Sequence, residues 1–302
     1  MTPETLETIA DFIRWGASRF NAAGLTFAHG TDNALDEAAA LVLHALHLPH
    51  ELPANVWQGR LLAGEKRAVI DLIERRIDER KPAAYLIGRI EFAGLEMEID
   101  ERVLIPRSSI AGLIQSGLEP WIDIERIGAV LDLCTGSGCI AIACARAFPR
   151  ARVDAADISS AALEVAARNV EAHHVGDSVE LLRSDLFSAL AGRRYDLIIC
   201  NPPYVSETEY AGLPPEFRHE PALGLLAGPD GLAFIARILG EARSHLEPHG
   251  LLILEVGSAL EALMRAWPRL EFHWPGHDAQ PDDGVLLFTA RELDGFRAAG
   301  AA

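Results

Sequence analysis

The segment Ala129-Val-Leu-Asp-Leu-Cys134, turned by Thr135-Gly136-Ser137-Gly138 into the apolar run 140–148, admits few folds. A short, nearly continuous apolar run that stops at glycines reads as a buried strand, and the longer run behind it as a helix. Further apolar runs at 151–156, 179–182, 196–200 and 251–256 alternate with helical patterns at 232–246 and 258–267, and strands are expected near 270–274 and 285–290. Strands and helices in alternation predict an α/β domain with a mostly parallel sheet.

Residues at the strand ends narrow the ligand. Gly136 and Gly138 let backbone approach a bound molecule closely, and the N–H groups that open the next helix can hold polar atoms. The run 151–156 ends in Asp157, about twenty residues past the glycines, the spacing of a carboxylate that grips ribose hydroxyls. Asp185-Leu186-Phe187 follows the run 179–182 and is placed for the edge and face of an adenine. The loop lacks the glycine spacing of a dinucleotide fingerprint and no Gly-Lys-Ser/Thr follows it, so pyrophosphate and nucleoside triphosphate ligands are disfavoured. An adenosine without phosphates fits, and S-adenosylmethionine, whose sulfonium carries a transferable methyl, is such a ligand.

Asn201-Pro202-Pro203-Tyr204 directly follows the apolar run ending at Cys200. A planar nitrogen, amide or aromatic amine, attacks a methyl poorly unless it is held in line and hydrogen-bonded. The Asn201 side-chain oxygen and the Pro202 carbonyl can each accept one N–H of a target NH2 group. Pro203 stiffens the loop, and Tyr204 offers a flat face for stacking. Asn and Pro are also ordinary turn residues, so the tetrapeptide gains its weight from the adenosine site upstream. Ligands of doubly wound sheets sit where strand order reverses, so if the strand carrying Asp132 neighbours the strand ending at Cys200, both motifs face one crevice.

Asp132-Leu-Cys-Thr-Gly-Ser-Gly-Cys-Ile-Ala-Ile-Ala143, Asp157-Ile-Ser159, Ser184-Asp-Leu-Phe187 and Asn201-Pro-Pro-Tyr204 together resemble the protein-glutamine methyltransferases of the HemK group. The resemblance extends through Ala84-Tyr-Leu-Ile-Gly88, Glu91-Phe92, Val103-Leu-Ile-Pro-Arg107, His219-Glu-Pro221 and Gly228-Pro-Asp-Gly-Leu232. It implies a Rossmann-like class I methyltransferase domain with a mostly parallel seven-stranded sheet, a small N-terminal helical bundle and a linking β-hairpin. It also implies transfer of a methyl from S-adenosylmethionine, leaving S-adenosylhomocysteine, to the N5 amide nitrogen of a protein glutamine. By resemblance, Asp132, Cys134, Thr135, Gly136, Ser137, Gly138, Asp157, Ile158, Asp185, Leu186 and Asn201 bear on the cofactor. Asn201, Pro202, Pro203 and Tyr204 are the catalytic motif, and Asn201, Pro202, Tyr204 and Arg107 contact substrate, although Arg107 reads equally well as a packing residue. Cys134 stands where relatives often have glycine.

The release-factor branch of the group follows Ile-Pro-Arg with a proline and an acidic-Thr-Glu segment, whereas this chain reads Pro106-Arg-Ser-Ser-Ile110. With Asp100-Glu-Arg-Val-Leu104, Pro215-Glu-Phe-Arg-His-Glu220 and Asp283-Gly-Val285, this is similar to the branch that acts on ribosomal protein uL3; release factors are the alternative substrates. A DNA adenine or ribosomal RNA guanine methyltransferase is a further alternative, because the same tetrapeptide can hold an exocyclic amine of a flipped base. The formal net charge of −17 argues against it, since a nucleic-acid enzyme presents a basic groove, and it suits a basic protein partner. Non-catalytic binding to assembling ribosomes is the reading of another class, disfavoured by the two intact motifs.

No export signal or apolar stretch of membrane-spanning length is read in the 302 residues, so a cytoplasmic protein without membrane or direct nucleic-acid partners is expected. The four cysteines, Cys134, Cys139, Cys144 and Cys200, read as small buried hydrophobes, and no metal-ligand spacing occurs among them or the eleven histidines. At the N-terminus, Leu6, Ile9, Phe12 and Ile13, then Leu35, Ala39, Val42, Leu43 and Leu46, then Val69, Leu72, Ile73 and Ile77 recur at helical spacing, with Asp32 placed to cap the second helix. From Glu91 to Ile105 the period shifts towards two, predicting a hairpin that turns at Gly94 or near Glu101-Arg102. The expected organisation is a substrate-recognition bundle over 1–85, a hairpin linker over 86–110 and the methyltransferase domain over 111–302, with a frayed tail at 298–302.

Overall fold

The computed structural model describes residues 5–118, 120–275 and 284–296, in two compact units. Asp283 and the tail 298–302 lie outside the described residues. The first unit comprises the chain up to Ile90 with Ile99–Glu101 and Pro214–His219. It holds helices α1 (Ile9–Ala22), α2 (Ala34–Ala45), α3 (Ala63–Glu79) and α4 (Ala83–Ile87). A reciprocal cap starts α1, where Asp11 N–H donates to Thr8 Oγ1 at 3.2 Å and Thr8 N–H to Asp11 Oδ2 at 3.0 Å. Phe12, Phe20, Leu41, Val42, Val69 and Ile73 form the core of this unit.

The cap of α2 lies one residue later than expected. Asn33, not Asp32, accepts the N–H groups of Leu35 and Asp36 at 3.0 and 2.9 Å, because its extended backbone aims Oδ1 at both. Ala34, Ala38 and Leu41 then face inward and Leu35 is 55% exposed. Between the helices lies a buried charge cluster. Fully buried Arg76 donates from Nε to Glu37 Oε1 at 2.7 Å and from Nη2 to the Thr26 carbonyl at 3.1 Å. Glu216, also fully buried, accepts from Thr26 N–H at 3.1 Å, pairs with Arg80 at 2.8 Å and lies 3.8 Å from Arg76. Burial outweighs the attraction of Arg76 and raises the Glu37 carboxyl above its ordinary value.

The second unit holds Glu91–Glu98, Arg102–Leu213 and the chain from Glu220 on. The hairpin of β1 (Arg89–Phe92) and β2 (Leu95–Glu98) turns at Ala93-Gly94, both with positive φ (53° and 77°), as a two-residue hairpin turn requires. Helix α5 (Ile110–Gln115) follows. The sheet is built from β3 (Ala129–Leu133), β4 (Arg152–Asp157), β5 (Val179–Arg183), β6 (Tyr195–Cys200), β7 (Leu246–Glu255) and β8 (Val285–Thr289), with α6 (Cys139–Ala147), α7 (Ser160–Ala172), α8 (Glu207–Gly212), α9 (Ala233–His245) and α10 (Leu260–Ala266) between strands. Its order is β5-β4-β3-β6-β7-β8, all parallel except β8. Every residue of β6 is buried, as in a central strand covered on both faces. Leu131, Ile198, Leu252 and Phe288 pack in one core.

Six strands stand in this sheet among the described residues, where seven were expected. The segment 270–274 forms only an isolated bridge, His273 with Leu287, because Pro268 and Pro275 bracket it and neither has an N–H to extend a ladder. Among the described residues no helix is long and apolar enough to cross a membrane.

Two side chains fix the turn after β3. Fully buried Asp132 accepts on Oδ2 from Thr135 Oγ1 at 2.5 Å and Ala141 N–H at 3.0 Å, while Oδ1 has no hydrogen-bond partner among the described residues. Buried Asn169 of α7 donates to the Ser137 and Glu98 carbonyls, both at 2.9 Å, and accepts from Glu98 N–H at 2.7 Å, joining the turn to β2.

Two predictions test these interiors. Arg76→Ala leaves Glu37 buried without its cation, Glu216 keeping Arg80, and lowers unfolding free energy by about 3–5 kcal/mol, read by denaturant melts. Burial raises Asp132 from 3.8 to about 7 against the pull of its hydrogen bonds. The folded state therefore holds the proton more tightly than the unfolded chain, and the native state is progressively disfavoured as pH rises from 3.8 to about 7. Melts across that range are expected to show the wild type losing stability relative to Asp132→Asn.

Candidate active site

Parallel pairing sets the site. Leu133 is in register with Cys200, and Cys200 with Leu254, so β3, β6 and β7 end level with one another. The chain leaves β3 into the glycine loop, β6 into Asn201 and β7 into Val256, along one edge of the sheet. Strand order reverses between β3 and β6, the position at which open α/β sheets bind ligands.

An open cleft lies at this edge. The strand ends contribute Cys134, Thr135, Gly136, Ser137, Asp157, Ile158, Asp185, Leu186, Asn201 and Pro203 to its lining. Asp157 Oδ2 accepts from Gly136 N–H at 2.9 Å and Oδ1 from Ser159 N–H at 2.8 Å. Each oxygen retains a second lone pair for a ribose hydroxyl. Burial raises the Asp157 carboxyl, against the three backbone donors around it. Arg237 of α9 takes one oxygen of half-exposed Asp185 at 2.9 Å, a pairing that the local sequence does not announce. Ile158 is 46% exposed and, with Leu186, offers an apolar face to an adenine. A carboxylate at the end of β4, an acidic residue after β5 and a glycine loop after β3 form a donor and acceptor set that fits S-adenosylmethionine.

Asp132, Gly138, Pro202 and Tyr204 are not part of this lining. Asp132 lies under the loop and braces it, and Gly138 faces Ala166 of α7. Pro202 is buried, and half-buried Tyr204 packs against the core of the sheet unit. Cys134 adopts the left-handed backbone (φ 64°) of a glycine position. All four cysteines are free thiols, three of them buried.

The cleft is completed by residues around Arg107. The Arg107 guanidinium forks onto buried Glu220, Nη1 to Oε1 at 2.6 Å and Nη2 to Oε2 at 2.9 Å, and Glu220 Oε1 also accepts from Ile105 N–H at 2.9 Å. Arg107 thus both lines the cleft and joins the segment 105–107 to Glu220. Phe92, Ser108, Leu223 and Phe234 also line it. Sequence reasoning gave these four no individual role in the site: Phe92 and Ser108 were visible only as parts of motifs, and Leu223 and Phe234 carry no local signal.

The methyltransferase small domain family matches residues 118–213. Over 290 residues the chain is 54% identical to the ribosomal protein uL3 glutamine methyltransferase of Xanthomonas campestris pv. campestris, covering 96% of this chain and 94% of that one. It is 53% identical over 296 residues to the enzyme of the same name from Xylella fastidiosa, with 97% and 94% covered, and 47% identical over 292 residues to that of Bordetella pertussis, with 96% and 98% covered. Relatives that match 96–97% of the chain at 47–54% identity place it in one family: the chain belongs to the ribosomal protein uL3 glutamine methyltransferases.

Proposed function

We propose that this chain transfers a methyl group from S-adenosylmethionine to the N5 amide nitrogen of a glutamine in ribosomal protein uL3, in the cytoplasm. The observation that carries the reading is that Asn201, at the end of β6, lines the same cleft as the glycine loop and Asp157. The cofactor supplies a methyl on a positively charged sulfur.

The protein's part is positioning. The amide lone pair is delocalised, so the nitrogen attacks usefully only when its two N–H groups are held and its π face is aimed at the methyl. Asn201 Oδ1 and the Pro202 carbonyl accept those N–H groups and favour the positive charge that develops on nitrogen. Pro203 keeps the loop in one shape, and Tyr204, packed against the core, anchors its end. Asp157 takes the ribose hydroxyls, Asp185 and Leu186 the adenine, and Gly136 lets backbone approach the methionine portion. The methylated amide is acidic enough to lose its proton to water or a backbone acceptor, so no side chain is assigned as general base. His219, whose ring nitrogens meet Glu101 at 3.2 Å and the Glu79 carbonyl at 2.9 Å, is engaged in the helical unit.

Residues 1–85 are assigned to gripping the protein substrate, 86–110 to linking and 111–302 to catalysis. In support, Pro214–His219, which lies in the chain between Tyr204 and the cleft residue Pro221, is counted with the helical unit. The net charge of −17 favours encounter with a basic protein.

Labelled methyl transfer, offering uL3, a release factor and DNA in parallel with mass spectrometry of the products, is expected to place the methyl on a uL3 glutamine; label on the release factor or DNA alone overturns the substrate. Asn201→Ala is expected to lower kcat by roughly 10²-fold or more, as for loss of one preorganised contact to the transition state, with cofactor affinity kept. Asp157→Ala is expected to weaken cofactor binding by about 10–100-fold, the worth of a charge-assisted hydrogen bond, as measured by calorimetry.

A further inference from the structure

Glu255 closes β7, next to the strand that delivers Asn201, and the methyl-transfer chemistry above gives it no task. It is a carboxylate only 8% exposed, at the end of the run Leu251-Leu-Ile-Leu254. A buried carboxylate is costly unless it is hydrogen-bonded, and both of its oxygens are used. Oε1 accepts the Tyr204 phenol at 3.3 Å, and Oε2 accepts the Ser108 hydroxyl. Ser108 is fixed in turn, since its Oγ accepts from Ile110 N–H at 3.1 Å, and it lines the cleft. Burial raises the carboxyl, while Ser108, Tyr204 and the Arg107 charge act the other way.

Tyr204 is held at two further points. Gly257, two residues past Glu255, has φ 43°, and a Cβ there would overlap the Tyr204 ring. A Cβ on Gly231, in the Gly228–Leu232 motif, would run into the Tyr204 carbonyl. Backbone lies against the ring and against the carbonyl, and a carboxylate lies at the phenol. Such a ring has one orientation.

We infer that Glu255 is a positioning residue for methyl transfer: seated by Ser108, it anchors Tyr204 and through it the backbone of Asn201–Tyr204, whose acceptors hold the substrate amide. The assignment rests on the reading of Asn201–Tyr204 as the amide-binding motif. Orientation matters because a reacting group must be held within about 10–20° of its productive geometry.

The test is a double-mutant cycle on uL3 methylation, with Tyr204→Phe, Glu255→Ala, Glu255→Gln and the Tyr204→Phe/Glu255→Ala pair, and S-adenosylhomocysteine binding by calorimetry as the check on folding. Each of Tyr204→Phe and Glu255→Ala is expected to lower kcat about tenfold, the loss of one hydrogen bond to a charged group, with homocysteine-product affinity unchanged. The pair is expected to be no slower than the slower single variant. Glu255→Gln, whose amide oxygen still accepts the phenol, is expected to keep kcat within about threefold of wild type. Losses that multiply in the pair, or a Gln variant as slow as the Ala variant, overturn the assignment. If Glu255→Ala does not bind S-adenosylhomocysteine, Ser108→Ala replaces it in the cycle and is read by the same criteria. Asn201→Ala at full speed would overturn the underlying motif reading; Asn201→Ala inactive with multiplicative losses at 204 and 255 overturns the role of Glu255 alone.

Discussion

The parallel pairing of β3, β6 and β7 is the constraint on which the site depends. With Leu133, Cys200 and Leu254 in one register, three chain segments leave the sheet level and adjacent. A one-residue slip in either ladder would move the glycine loop or Asn201 along the strand and invert the faces of the side chains. The register is strongly specified because these strands are buried on both sides and any slip would misplace Leu131, Ile198 and Leu252 in the core. The precision of the site thus comes from packing far larger than the site itself.

Carboxylates then hold the loops that the strands release. Asp132 braces the turn after β3, Asp157 ties that turn to the end of β4, and Glu220 holds Ile105 and Arg107. Three of these acceptors take backbone N–H groups that a tight loop would otherwise leave unsatisfied, a cost avoided in nearly all native loops. Part of the chain's acidity is therefore internal. Surface pairs such as Arg168 with Glu98 contribute little individually.

The fold was legible wherever one segment carries its own signal. Ala129–Leu133 and Tyr195–Cys200 read as strands from composition alone, and the glycines and Asn201-Pro202-Pro203-Tyr204 marked the two loops that the sheet brings together. What depends on distant partners was not legible. Asp185 says nothing of Arg237, and Glu255 looks like the tail of an apolar strand until Tyr204 and Ser108 arrive beside it. The alternation in Leu270-Glu-Phe-His-Trp274 suggested a strand, and the flanking prolines leave it one bridge. Asp32 and Asn33 are equivalent as caps by residue type, and only backbone direction separates them. Leu35 was read into the apolar stripe by its spacing to Ala39 and Val42, and it is 55% exposed because Ala34, Ala38 and Leu41 form the inward face.

Asn169 shows how closely this arrangement depends on a single functional group. Its amide nitrogen serves two carbonyls, Ser137 of the glycine loop and Glu98 of the hairpin, while its oxygen takes the Glu98 N–H. Hydrolysis of that amide to a carboxylate exchanges two donors for an acceptor aimed at two carbonyl oxygens, in an interior that tolerates neither the charge nor the lost bonds. Spontaneous deamidation, a change of one atom group with almost no change in volume, would unfasten the cofactor turn from the hairpin. The setting of Asn169, buried within α7, shields the amide from solvent.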